Sequence, residues 1–171
     1  MNIHVPTGDR LRSRLLARLK AFEAPTASGV HNHAHNLFSY CALARERLAA
    51  IKLPHPLIGI VLRGRKEVWL GDAGLSFGPG SVIILPRNIP MDVVNIPGET
   101  GIYESLILEV PMLPEGVPPL SLVERLDREA TSPAFNVTLT DDLVEALSHA
   151  ATTIRAAAMG EKVKTLRLKE V

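Results

Sequence analysis

The sequence predicts an α+β fold, in which a small antiparallel β-barrel or sandwich is flanked by helices. Three observations carry this. Between Pro56 and Pro111, short apolar runs rich in β-branched residues follow one another: "LIGIVL", "EVWL", "LSF", "SVIIL", "MDVVNI" and "GIYESLILEV". Turn chemistry separates them, in "RGRK", "GDAG", "GPG", "PRNIP" and "PGET". Segments with helical rather than strand periodicity lie on either side.

The first element is a helix. Leu11, Leu15, Leu16, Leu19 and Phe22 recur at helical spacing, and Thr7 or Asp9 can cap it. Although "LRSRLLARLKAF" is arginine-rich, a leucine stripe is what any surface helix needs to dock on a domain. After a loop of small residues, His31 to Cys41 has the pattern of an extended edge strand. "ALARERLAAIKLP" is a charged connection of ambiguous type, and the meander follows it. Beyond Pro111 the proline-rich "PMLPEGVPPL" is a linker, and Ser121 with Glu124 forms a capping box opening another helix. A longer helix starts near Thr140, with Asp141 and Asp142 at its positive end and Gly160 as its stop. "EKVKTLRLKEV" then begins a further helical pattern with no terminating residue, so a longer parent protein is expected.

Composition sets limits. With 171 residues the chain suits one domain, large enough to form a core without staples. Nineteen basic residues against 18 acidic ones give a net charge of +1, so no overall basic face is expected to bind nucleic acid. Cys41 is the only cysteine, which excludes an intramolecular disulfide and fits a reducing cytoplasm. No apolar run reaches membrane-spanning length, and no membrane partner is expected.

The basic cluster Arg63, Arg65 and Lys66 surrounds Gly64 between two strand runs. A glycine there supplies the positive φ of a tight hairpin, so the cluster reads as an exposed turn rather than a DNA contact. "HNHAH" is the sharpest metal signal, because His31, His33 and His35 on a strand would share one face. The outer two would lie ~13 Å apart, too far for one ion, and a further ligand would have to come from elsewhere. No metal and no cofactor are therefore expected. No nucleophile elbow, P-loop or dinucleotide fingerprint is present. Glu104 and Glu109 fall on opposite faces of one strand and cannot form a carboxylate pair. What remains is a pocket inside the barrel, with Tyr40, Trp69 and Tyr103 as candidate lining residues and His35 as a further ligand contact.

The run "HPLIGIVLRGRKEVWLGDAGLSFGPGSVIILPRNIPMDVVNIP" resembles the amino-terminal, cupin-like domain of AraC-type bacterial transcription regulators. The similar features are the apolar strand ending in "G-R-K", the "V-x-L-G-D" strand, and the "GPG" turn before an apolar strand ending in proline. The opening leucine helix and the trailing "VKTLRLKEV" fit the same resemblance. It implies a jelly-roll barrel over residues 29–112, preceded by a helix and loop over 1–28 and followed by a helical dimerisation segment over 113–171. It also implies an unidentified small-molecule effector and a homodimer. DNA would be contacted only through a carboxy-terminal domain absent from this chain. The stripe Leu143, Leu147, Ala151 and Ile154 is the expected dimer surface. Cupin enzymes that use a metal carry a histidine after the turn corresponding to Pro79–Gly80, where this chain has "SVIILPRNIPM". The expectation is thus a sensor and not an enzyme, the alternative being a metal-dependent cupin built on His31, His33 and His35.

Overall fold

A computed structural model describes residues 7–22, 27–109 and 136–169. The predicted linker and the capping box at Ser121 and Glu124 lie outside them. Helix α1, Thr7–Leu19, runs into a 3-10 turn at Lys20–Phe22. Eight strands then build the barrel: β2 (Leu37–Ala42), β3 (Glu46–Ile51), β4 (Leu57–Arg63), β5 (Arg65–Leu70), β6 (Ala73–Phe77), β7 (Val82–Leu85), β8 (Met91–Ile96) and β9 (Tyr103–Glu109). Two more strands, β1 (Gly29–Ala34) and β10 (Asn136–Val137), extend one sheet, and α2 (Asp141–Lys169) closes the fold.

The strand order is β1-β2-β9-β4-β7-β10 in the large sheet and β3-β8-β5-β6 in the small one. All pairings are antiparallel. From β2 to β9 the chain crosses between the two sheets at every step except the β5–β6 hairpin, as in a jelly roll, so the expected cupin-like α+β fold is present. Side-chain alternation along each strand produces two cores. Val61, Val68, Ile83, Met91, Val93 and Tyr103 fill the barrel. Ile60, Leu62, Val82 and Leu106 point out of the large sheet and meet Leu11, Leu15 and Leu19 of α1 and Val144, Leu147 and Ala151 of α2.

Two glycines set the turns. Gly64 takes φ 74° between β4 and β5, and a Cβ there would lie 2.5 Å from the Ile96 carbonyl oxygen. Gly80 takes φ 78° after β6, and a Cβ there would strike Arg12 at 2.5 Å. The "GPG" turn is therefore also where α1 meets the barrel.

Several expectations change. The single edge strand at His31–Cys41 is a hairpin, β1 and β2, because His35 and Asn36 form a turn. The ambiguous "ALARERLAAIKLP" contains β3, whose Glu46 and Leu48 face inward opposite β8. Gly160 does not stop α2, which continues to Lys169 without a positive φ at that position. A helix-interior glycine costs only about 1 kcal/mol relative to alanine, and strong helix formers follow it. The segment assigned wholly to helices also contributes β10, beside β7.

The expected dimer stripe is internal. Leu147 and Ala151 are buried, and Leu143 and Ile154 pack on the same core as α1. The reason is that α1 and the outer sheet face need an apolar cover, which α2 of the same chain supplies. Ion pairs reinforce this contact, from Arg14 to Asp141 and Glu145 and from Arg18 to Glu145. Arg155 adds a 2.8 Å bond to the Ala21 carbonyl and stands 5.1 Å from the Phe22 ring centroid.

Candidate functional site

The barrel interior is apolar except at one end. There, register places Glu46, Asn95 and Lys66 directly opposite one another across β3, β8 and β5. A single row of a sheet shares one face, so all three side chains point inward. Lys66 Nζ donates to Asn95 Oδ1 at 2.8 Å, and Asn95 Nδ2 donates to Glu46 Oε2 at 3.3 Å. On the facing sheet, Tyr40 and Ser105 are cross-strand partners, and Tyr103 lies two residues before Ser105. The Tyr40 hydroxyl donates to Glu46 Oε2 at 2.6 Å and joins the two sheets. The Lys66 ammonium stands 5.2 Å from the Tyr103 ring centroid, within cation–π range.

Burial grades along this row. Tyr40 and Glu46 are half-buried and form its outer end, whereas Lys66 is 6% exposed and Asn95, Tyr103 and Ser105 are fully buried. Burial lowers the Lys66 pKa to about 8, with Glu46 opposing the shift. Burial also pushes Tyr40 up to about 12, helped by its bond to Glu46, and raises Tyr103 further. The Tyr103 and Ser105 hydroxyls have no well-formed hydrogen bond among the described residues, although Ser105 is the polar neighbour that most offsets the rise at Tyr103. Such groups usually find a partner, in protein, water or ligand.

Of the four predicted ligand contacts, Tyr40 and Tyr103 come together in this site. Trp69 does not. It is 39% exposed on the outer face of the small sheet, where its ring covers Gly74 across the strand pair. A shallow hollow of about 250 Å³ beside it is lined by Arg45, Arg47, Glu67 and Asp92. Strand parity explains the correction: Val68 faces the core, so Trp69 must face out and Lys66 must face in. The same parity corrects the basic turn. Lys66 is not solvated, and Arg63 pairs at 3.1 Å with the fully buried Glu104 across a bulge between β4 and β9.

His35 lies in the β1–β2 turn, away from the barrel interior. It lines clefts of about 760 Å³ and 470 Å³ between that hairpin and the distal half of α2. His31 Nε2 lies 2.8 Å from the Ala27 carbonyl, which can only accept, so this nitrogen carries the proton. Ser39 donates its one proton to the Phe22 carbonyl, so His33 Nε2 must donate to Ser39 Oγ. Both Nε2 lone pairs are thus unavailable to a metal. Burial, with Arg155 and His31 nearby, holds the His33 pKa below its ordinary value. Among the described residues, no three His, Cys, Asp or Glu side chains gather in a metal-binding group. The donor set does not fit the metal centre of the alternative reading.

Sequence reasoning missed Glu46, Lys66, Asn95 and Ser105. For Lys66 the signal was available in "KEVWL", where the lysine shares its phase with Val68 and Leu70. For Glu46 and Asn95 it was not, because their meeting depends on which strands pair.

No family model matches the chain, and no curated protein matches it. Solved structures do. One is an RmlC-like cupin family protein with a double-stranded β-helix fold from Methanocaldococcus jannaschii, at 16% identity and TM-score 0.42, covering 52% of this chain and 86% of that one. A cupin 2 conserved barrel domain protein from Leptotrichia buccalis gives 23% identity and TM-score 0.40, covering 54% of this chain and 45% of that one. A cupin superfamily protein from Desulfitobacterium hafniense gives 12% identity and TM-score 0.40, covering 65% and 94%. Identities this low bear on fold alone, and the fold assignment itself rests on the strand order above.

Proposed function

We propose that this chain is the effector-sensing and dimerisation part of an AraC-type transcription regulator, acting on DNA through a part outside these residues. The observation that supports the reading best is the polar row inside the barrel. Burying Lys66, Asn95 and two hydroxyls, with Glu46 and Tyr40 half-buried beside them, at one end of an otherwise apolar barrel is costly as pure packing. It is what a small-molecule pocket requires: apolar walls and a few convergent polar groups.

The mechanism is linkage. An effector at this row touches β2, β3, β5, β8 and β9 together. β2 and β9 carry on their other face the core shared with α1 and α2. An effector that binds one arrangement of sheet and helices more tightly shifts the population toward it. Self-association, which belongs to this reading, must use a surface other than the internal stripe on α2.

A thermal-shift screen of small metabolites tests the reading. At least one should raise the Tm of the wild type, with the shift abolished in Asn95→Leu, and sedimentation should show a dimer. A barrel indifferent to every compound, with a monomer at high concentration, would remove the support for a sensor. The chain is read as a non-enzymatic sensor with no bound metal or cofactor, and as a cytoplasmic protein. Among the described residues, no helix is long and apolar enough to cross a membrane.

A further inference from the structure

The polar row contains one amine and two hydroxyls whose hydrogen bonds are not well formed, and together they define a ligand chemistry. Lys66 extends from β5 into the barrel, fixed by Asn95 at 2.8 Å and by the face of Tyr103. Tyr103 and Ser105 present buried hydroxyls from the opposite wall. A buried hydroxyl left unsatisfied costs about 1–3 kcal/mol, and an oxygen of a bound molecule removes that cost.

Charge selects among ligands. Lys66 and Glu46 balance each other through Asn95, so an added anion would meet Glu46 and an added cation would meet Lys66. A neutral molecule disturbs neither. A neutral molecule that accepts hydrogen bonds through oxygen and lies beside a desolvated amine has carbonyl chemistry available to it. Lysines are activated as nucleophiles by burial of this kind.

Resting on the effector reading above, we propose that Lys66 forms a reversible imine with an aldehyde or ketone group of the effector, while the Tyr103 and Ser105 hydroxyls take an oxygen of the same molecule. The ammonium first releases one proton to solvent. The neutral amine then adds to the carbonyl carbon, and a C–N bond forms as the C=O π bond breaks. The carbonyl oxygen leaves as water with the two amine protons, and the nitrogen of the remaining C=N takes one proton back from solvent, so a positive charge again faces Glu46. Nothing is oxidised or reduced, and hydrolysis reverses the step. The lowered basicity of Lys66 supplies neutral amine near neutral pH.

Propanal with cyanoborohydride, applied to the folded chain at pH 7.5, traps such imines as stable propyl-lysine. Peptide mass spectrometry should find Lys66 modified at least about tenfold faster than the exposed Lys20, Lys52 and Lys162. The preference should vanish in denaturant. Tyr103→Phe keeps the ring beneath the ammonium and should slow labelling at Lys66 several-fold, without changing it at Lys20 or Lys52. Labelling at Lys66 no faster than at the exposed lysines overturns the imine. A non-carbonyl metabolite that raises Tm in a Lys66-dependent way would keep the barrel as an effector site and overturn the imine alone.

Discussion

The two faces of the large sheet are both buried, but they are filled with different chemistry. Beneath the helices the outer face is closed by Leu11, Leu15, Leu19, Val144 and Leu147. Its polar elements there are the small His33–Ser39–Phe22 relay, and its buried charge, Glu104, sits at a strand end against Arg63. The inner face has an equally apolar body but ends in three hydroxyls, which meet a lysine, a carboxylate and an amide of the small sheet across the barrel. The outer face is built to hold elements together. The inner face keeps groups that packing alone would disfavour. That difference predicts that changes on the outer face act on stability, while changes on the inner face act on protonation and ligand response.

The largest expected effect is on the outer face. Leu15 is fully buried between α1, α2 and the sheet, so Leu15→Ala should cost about 2–5 kcal/mol in a denaturant titration. A loss below about 1 kcal/mol would mean that α1 is not part of the core, a range set by the same cavity series.

Lys66 tests the inner face. Its folded pKa, about 8, lies below the unfolded value of 10.5. Between these values the unfolded chain binds more protons, so the lysine's contribution to stability rises with pH. Burying its charge is a cost that is fully present below pH 8 and disappears as pH rises toward the unfolded pKa. The total approaches about 3 kcal/mol. Tyr40, Tyr103 and Cys41, all with raised pKa values, act oppositely at alkaline pH, so the wild type alone would conceal the effect. The difference between wild type and Lys66→Met removes these shared terms. It should move in favour of the wild type from pH 7.5 to 9.5, and a flat difference would show that Lys66 is solvated.

How much of this was legible depends on the range of the signal. Gly64, the "GPG" turn and the leucine stripe of α1 are local, and each stands where the sequence predicted. Strand β3 was obscured because "ERLAAI" has charged and small residues that fit a helix as well as a strand. The Glu46–Asn95–Lys66 row joins residues up to 49 positions apart, and only the jelly-roll pairing brings them together. Trp69 shows the opposite failure. Its residue type suggested a pocket wall, while its phase within "KEVWL" already placed it outside.

The Ser39 relay is the next test. Ser39→Ala leaves the His33 Nε2 proton and the Phe22 carbonyl without their partner beneath α1, at a cost of about 1–3 kcal/mol. In the wild type the lowered His33 pKa means that the unfolded chain takes up the proton first as pH falls. Stability should therefore drop as pH falls through about 6.5 toward the lower folded value. His33→Asn should flatten this dependence, and chemical denaturation at stepped pH values reads both effects.

The smallest effect belongs to the helix clamp. Arg14 and Arg18 hold Glu145 from α1, and these charges lower its carboxyl pKa, with Arg18 the larger influence. All three side chains are at least a third exposed, so water and salt compete for the same charges. Glu145→Gln should lower Tm only slightly, and the difference should vanish when ionic strength rises from about 0.05 M to about 0.5 M. In the wild type this contribution is present above the unfolded carboxylate pKa and fades as pH falls through the lowered folded value. A large, salt-resistant loss would mean that the clamp, rather than the leucine core beneath it, joins the two helices. The population shift proposed for the effector would then have to act through those charges.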